Sequence, residues 1–225
     1  MALLETLRLV LAPPHRAGRP FIAAGAAVGV FGLFVSLALA VAGVVFALFC
    51  LYFFRNPERV PPERRGAIVS GADGIVVSVV EAVPPVELGL GDAMRWRVAT
   101  FLSILNVHVN RVPASGVVTA IAYRRGIFVN ASLERAGDEN ERNGIAIRMA
   151  GGQDLAVVQI AGLVARRILC DLREGDTVAM GQRLGIIRFG SRTDVYLPLG
   201  IKPRVRVGQT MVGGETVLAE FEAGP

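Results

Sequence analysis

The chain has 225 residues, of which 52% are apolar, and a mean hydropathy of +0.50; these are high for a purely soluble chain, point to a membrane segment, and leave room for one sizeable domain plus an appendage. A net charge of +5 and a pI near 10.0 call for an anionic partner, and with only 7% aromatic residues the interleaving of basic and aromatic residues that nucleic-acid binding wants is missing, so a membrane surface explains the charge better than a nucleic acid. Two cysteines, Cys50 and Cys170, exclude a disulfide framework and imply a reducing compartment, and two histidines, His15 and His108, exclude a His-rich metal cluster.

After a basic segment, residues 1–20, the chain runs from Phe21 to Phe54 for 34 residues without a charge. One helix of that length would extend about 51 Å, and two full crossings want about 20 residues each. The run is therefore predicted to be a tight helical hairpin over residues 21–54, fully crossing or re-entrant, turning near Gly32 or Gly43. Arg8, Arg16 and Arg19 precede it and Arg55, Arg59, Arg64 and Arg65 follow it, which places both ends in the cytoplasm. Its length, and an end in Tyr52-Phe53-Phe54-Arg55 with no small-residue cleavage site, speak against a signal peptide. Asn56-Pro57 and Val60-Pro61-Pro62 mark a stiff linker, residues 55–65, before a second domain over residues 66–225.

Beyond residue 66 the period changes. Segments 67–83, 95–103, 106–123, 146–162 and 182–191 are short runs of Val, Ile and aromatics cut by Gly, Pro, Asp and Asn. They predict a mainly antiparallel β domain, a sandwich or barrel, with few helices; Gly162 to Asp171 is the best helical stretch. A weak repeat relates the segment from Arg173 to that from Arg206, with Arg, Gly, Thr and Gly at matching spacing. The spacing resembles half of a biotinyl or lipoyl carrier sandwich, but Lys202, the sole lysine, lies in no Met-Lys attachment context.

Four places carry candidate chemistry. His108 lies in an alternating stretch that puts Asn106, His108 and Asn110 on one side; a strand histidine is more often a hydrogen-bonded structural residue, but this is the only imidazole outside the anchor. Asp73, in Ala-Asp-Gly, reads as turn chemistry or as a carboxylate that orients an imidazole. The polar stretch Phe128 to Gly144 reads as a solvated loop or as a flap over a site. Gly190-Ser191, between two strand-like runs, reads as a β-turn or as a bond meant to be broken.

FLSILNVHVNRVPASG from Phe101, FVNASLERAGDENERNG from Phe128, QIAGLVARRI from Gln159 and above all RFGSRTDVYLP from Arg188 resemble, in family order, the short membrane-hairpin form of phosphatidylserine decarboxylase, a pyruvoyl-dependent proenzyme. The likeness runs from about Pro20 to Glu220. It implies self-cleavage at Gly190-Ser191 into chains 1–190 and 191–225, the Ser191 hydroxyl attacking the Gly190 carbonyl and Ser191 ending as a covalent pyruvoyl cofactor. That ketone would take the substrate amine as a Schiff base and serve as electron sink, turning phosphatidylserine in the inner membrane into phosphatidylethanolamine and CO₂ on the cytoplasmic side.

By the same resemblance Asp73, His108 and Ser191 form the maturation group, with Arg111 standing where longer forms have a second histidine. Phe189 and Arg192 replace the usual Leu and Thr around Gly-Ser, and Arg111 or Arg192 would hold the lipid phosphate or the serine carboxylate. No metal is implied; the partners are the two chains of one precursor and the lipid, with a homo-oligomer open. Two other readings stand beside it: a pyruvoyl decarboxylase of another amine, and a membrane-anchored β-sandwich adaptor without activity.

Overall fold

The computed structural model describes residues 12–162, 167–188 and 190–221, so Arg8 and Phe189 of the readings above lie outside the described residues. The chain divides into two compact units, Met1–Glu58 and Arg59–Pro225.

The first unit is a helical hairpin of α1 (Arg19–Val35) and α2 (Leu37–Phe53). The chain turns at Ser36 rather than at Gly32 or Gly43, the two expected positions. Ser36 is extended (φ −163°, ψ 146°), and its hydroxyl accepts the Leu39 N–H to cap α2, a task glycine has no side chain to perform. The two glycines work instead where the helices meet. A Cβ on Gly32 would run into the Ala40 backbone and one on Gly43 into the Gly29 backbone. Small residues let apolar helices approach closely where no hydrophobic force drives them together. Residues Arg16–Val35 are long and apolar enough to cross a membrane, while α2 is an apolar helix of 17 residues. The hairpin's ends are tied by His15 N–H to Phe54 O (2.7 Å) and Asn56 N–H to Pro13 O (3.1 Å).

The second unit is mainly antiparallel β, as its punctuation predicts. One sheet has eight strands in the spatial order β12 (Thr210–Met211), β2 (Gly74–Ala82), β3 (Arg95–Leu102), β11 (Ser191–Tyr196), β7 (Asp154–Ala161), β6 (Arg142–Met149), β5 (Gly116–Arg124) and β9 (Thr177–Val178). A three-stranded sheet orders β4 (Val109–Arg111), β10 (Arg183–Ile187) and β8 (Ile168–Cys170), and β1 (Ala67–Val69) pairs with β13 (Val217–Glu220). Alternation along the strands sends Val98, Ile145, Val157 and Val195 to one face, where they join Ile68, Leu184 and Leu218 of the smaller sheets, and Val112 just after β4, in the main core. On the opposite face Ala146, Ala156, Val158 and Ile160 pack with Leu88 and with Ala136 of α3 (Ala136–Glu139).

Two sequence expectations change here. The helix expected over Gly162 to Asp171 is not what forms at its described end, because Ile168–Cys170 pairs with β10; residues 163–166 lie outside the described residues. The β-branched Ile168 fits that pleated position. The polar stretch from Phe128 gives its last residues, Arg142 to Gly144, to β6. The repeat is structural: its two copies form β9 and β12, the opposite edges of the large sheet.

Candidate active site

The Gly190-Ser191 bond is where the chain leaves one sheet for another. β10, which ends at Ile187, belongs to the three-stranded sheet, and β11, which begins at Ser191, to the large one. Gly190 has φ +68°, a left-handed backbone that side chains other than glycine's resist. Ser191 opens β11 in register with Leu102 on one side and Ala161 on the other, and it is fully buried. Its hydroxyl has no hydrogen-bond partner among the described residues. An unsatisfied buried hydroxyl costs about 1–3 kcal/mol, and an ordinary surface turn gives no reason to bear that cost.

His108 lies just before β4 and is fully buried. Its Nδ1 stands 3.0 Å from Asn106 O, and since a carbonyl only accepts, Nδ1 carries the proton. Nε2 is then the acceptor, and it takes the Gly190 N–H at 3.3 Å. The imidazole lone pair is thereby aimed at the residue whose carbonyl forms the bond to Ser191.

A buried relay of amides fixes this meeting. Asn143 donates to Gln159 (3.0 Å), Gln159 to Asn110 (2.8 Å), and Asn110 to the Thr193 hydroxyl (3.1 Å). Asn110 and Thr193 each lie two residues beyond His108 and Ser191, so the relay pins β4 to β11 one step from the site. Of these four residues the sequence pattern singled out Asn110 alone. Gly162 was missed as well. A Cβ there would run into Gly190 O and lie 3.1 Å from Gly190 C and 3.3 Å from Ala131 Cβ, so only glycine lets the end of β7 close on that carbonyl. Its signal was a glycine directly after a β-branched, strongly apolar strand.

Asp73 stands immediately before β2, which only β3 separates from β11. Both its oxygens accept from Arg59, at 2.9 and 2.7 Å, and Oδ1 also accepts the Gly213 N–H at 2.8 Å. The bond from the Gly190 N–H brings His108 to the Gly190-Ser191 junction, and Asp73 is held by Arg59 and Gly213.

Arg111 and Arg192 are both buried, with exposures of 3% and 0%. Arg111 donates to Gly181 O at 3.2 Å. Arg192 follows Ser191 on the strand, so its side chain leaves by the opposite face. There it forms a two-pronged ion pair with Asp194 (2.7 and 2.8 Å) and donates to Leu133 O (2.8 Å), holding down the loop between β5 and β6. Burial works against this cation, but the Asp194 carboxylate outweighs it and holds Arg192 above its ordinary value. Burial, reinforced by Asp194, pushes the neighbouring Tyr196 phenol up to about 12. Asn140 ties the same loop back, donating to Val129 O (2.9 Å) and Ala161 O (2.7 Å). The stretch is thus a loop pinned at the site's end of the sheet, with one helical turn, α3, inside it.

The family model described as phosphatidylserine decarboxylase matches residues 46–219. The chain belongs to the phosphatidylserine decarboxylase family. It is 64% identical over 221 residues to the phosphatidylserine decarboxylase proenzyme of Granulibacter bethesdensis, covering 98% of this chain and 91% of that one. It is 55% identical over 225 residues to the proenzyme of Gluconobacter oxydans, covering 98% and 100%. The proenzyme of Mycobacterium bovis is 52% identical over 218 residues, covering 97% and 94%. Family membership therefore extends over the hairpin as well as the β unit.

Proposed function

We propose that the chain is a proenzyme that cuts itself between Gly190 and Ser191 and then decarboxylates phosphatidylserine to phosphatidylethanolamine. The observation that carries this reading is the Ser191 hydroxyl, buried and unpartnered beside a left-handed glycine. His108 acts as base: Nε2 exchanges the Gly190 N–H for the Ser191 O–H and takes its proton. Oγ bonds to the Gly190 carbonyl carbon, the C–N bond breaks, and the proton passes to the freed Ser191 nitrogen. A base then removes the Ser191 α proton, and the Cβ–Oγ bond breaks with residue 190 leaving as a carboxylate. The dehydroalanine left behind takes up water and releases ammonia, so that residue 191 becomes a pyruvoyl group.

The residues present fit that group, because the serine that must give it up is held in a dry place where its hydroxyl has no competing bond. The pyruvoyl ketone supplies the electron sink for the carbanion left by CO₂ loss. His108, its tautomer fixed by Asn106 O, stands ready to return the proton to that carbon. Asp73, held by Arg59 and Gly213, contributes the negative charge that favours the imidazolium. With Arg111 and Arg192 buried and bound, substrate anions fall to exposed arginines. The N-terminal hairpin anchors the chain in the inner membrane, with the β unit on the cytoplasmic side.

A denaturing mass spectrum of the purified full chain tests this. Two species, 1–190 and 191–225, the smaller carrying an N-terminal ketone, are expected for the wild type, with one intact chain for Ser191→Ala. The wild type should also release CO₂ from phosphatidylserine. A wild-type chain that stays whole near 23.9 kDa after long incubation with lipid would sink the proposal.

A further inference from the structure

β3 ends at Leu102, directly opposite Ser191, and the chain then makes a turn, Ser103 to Asn106, before reaching His108. That turn is clamped. The Asn106 side chain accepts from both the Ser103 N–H (2.8 Å) and the Ser103 hydroxyl (2.7 Å), and the Asn106 N–H returns a bond to Ser103 O (2.9 Å). The two residues displayed at its tip are Ile104 and Leu105, 46% and 61% exposed. Two adjacent bulky aliphatics on a rigid tip are not the composition of a solvated turn, and paired exposed apolar groups of this kind mark a contact surface. The turn also shares a residue with the site, since Asn106 O holds the His108 ring.

The strand register shows what else lies at that end. Ser191 pairs with Ala161, Ile160 with Arg142, and Arg142 with Arg124, so the ends of β3 and β5 and the starts of β6 and β11 coincide. Arg125 follows β5, and Arg167 is reached through Arg188, whose N–H donates to Arg167 O at 3.3 Å. Arg125 and Arg167 are exposed and make no ion pair among the described residues. Burial holds the half-buried Arg188 below its ordinary value, and the like charge of Arg167 adds to that. Leu133 of the pinned loop is 42% exposed at the same end. Apolar tips and exposed arginines at one end of the sheet complement an anionic lipid surface, where side chains enter the acyl boundary and arginines meet phosphates. A second copy of the chain would have to bring the opposite charge, and this chain carries net +5.

We propose that the Ser103–Asn106 turn is a wedge by which the β unit enters an anionic phospholipid bilayer, Ile104 and Leu105 inserting while Arg125 and Arg167 hold phosphates. This rests on the reading of the site as acting on a membrane lipid, and gives that reading its approach: the clamped turn brings His108 and residue 191 to the head groups.

The test places a Leu105→Trp reporter in the full chain with Trp96→Phe, reconstituted in vesicles of phosphatidylcholine and phosphatidylserine. Brominated acyl chains should quench the reporter, with its emission shifted to the blue. A second variant, Ile104→Asp with Leu105→Asp, should still cut itself into 1–190 and 191–225. It should lose at least about tenfold in turnover of vesicle phosphatidylserine, the scale expected from burying two aliphatic side chains, yet keep its turnover of a monodisperse short-chain phosphatidylserine. A reporter that stays water-exposed and unquenched overturns the proposal. So does quenching-free blue shift that depends on protein concentration, which would mark a contact between copies, or unchanged vesicle turnover in the double variant. If the wild type does not cut itself, the functional reading fails separately, and lipid quenching still decides whether the wedge inserts.

Discussion

At one edge of the large sheet β12 lies against the start of β2, at the other β9 lies against the start of β5, and the two corners match group for group. Val76 exchanges backbone bonds with Gly208 and Gln209, as Val118 does with Gly175 and Asp176. The Gly214 N–H reaches Ser70 O, as the Gly181 N–H reaches Val112 O. Just before each strand one side chain caps the facing turn: Asp73 accepts the Gly213 N–H at 2.8 Å, and Ser115 accepts the Met180 N–H at 2.9 Å. The turn needs an acceptor, and a serine is enough. The charge of Asp73 is therefore extra to the turn, and a buried guanidinium, Arg59, answers it. What the pair teaches is that the turn explains the position of Asp73 but not its charge, which Arg59 matches in the structure and which the proposed chemistry would use.

The sharpest way to break that comparison is Asp73→Asn, which keeps the acceptor and removes the charge. Under the proposed chemistry self-cleavage should slow at least about a hundredfold, the scale of a lost acid–base partner. Stability should fall by about 3 kcal/mol, because Arg59 stays buried without its counter-charge. Adding Arg59→Gln should restore part of the stability and none of the cleavage. Ser115→Ala at the other corner should cleave at the wild-type rate and lose about 1 kcal/mol. Fragment yields by mass spectrometry and unfolding midpoints read both quantities. Wild-type cleavage in the Asp73→Asn, Arg59→Gln chain would reduce Asp73 to a second Ser115.

Gly162→Ala probes the centre of the sheet, which neither corner touches. The methyl group must displace Gly190 O or push β7 away from β11. Overpacking of this kind costs about 1–3 kcal/mol, and at the scissile carbonyl it should appear as cleavage slowed by about tenfold or more. If the cut chain forms at the wild-type rate, the close approach belongs to the fold alone.

How much of this the sequence displayed depends on the range of the interaction. The strands, their antiparallel pairing and the hairpin follow from local alternation and from an uncharged run, and these were legible. So was the repeat, although its meaning as two matching edges needed the pairing partners. The hairpin's turn was misplaced because glycine marks both turns and close packing; only the Ser36 cap separates the two uses. His108 and Ser191 were legible as residue types. Their meeting was legible only through the family resemblance, because it depends on β10 and β11 belonging to different sheets, and no local pattern marks such a crossing. The amide relay was illegible for the same reason: Asn110, Gln159 and Asn143 are polar residues on three strands far apart in sequence, joined only once the strands are assembled.

That relay offers a stability counterpart to the cleavage tests. Asn110→Ala removes the donor to Thr193 and leaves the Gln159 amide buried without its acceptor. It should cost about 2 kcal/mol, read as a lower denaturant midpoint with an unchanged slope in the uncut Ser191→Ala background. Loss of the pin between β4 and β11 should also slow cleavage in the active chain, whereas Ser115→Ala, similar in kind, should not. Equal cleavage in the two would show that His108 holds its place without the relay.

The smallest effect concerns the loop that Arg192 and Asn140 pin down. Glu134 on that loop is bound by Arg97. Burial raises the Glu134 carboxyl, but the bond and charge of Arg97, with Arg192 behind it, outweigh burial and hold it below its ordinary 4.5. A carboxyl lowered on folding stabilises the folded loop above its unfolded value, and that contribution disappears as pH falls through the lowered one. Amides of residues 128–139 should therefore exchange hydrogen faster below about pH 4, beyond the intrinsic pH dependence, while amides of β2 and β3 do not. Glu134 is 63% exposed, so the effect should be modest and shrink with added salt. Glu134→Gln should abolish the pH dependence and leave the bond from Arg192 to Leu133 O in place. The loop would then be held by the same cation at every pH, just as the corner at Ser115 is held by a neutral group.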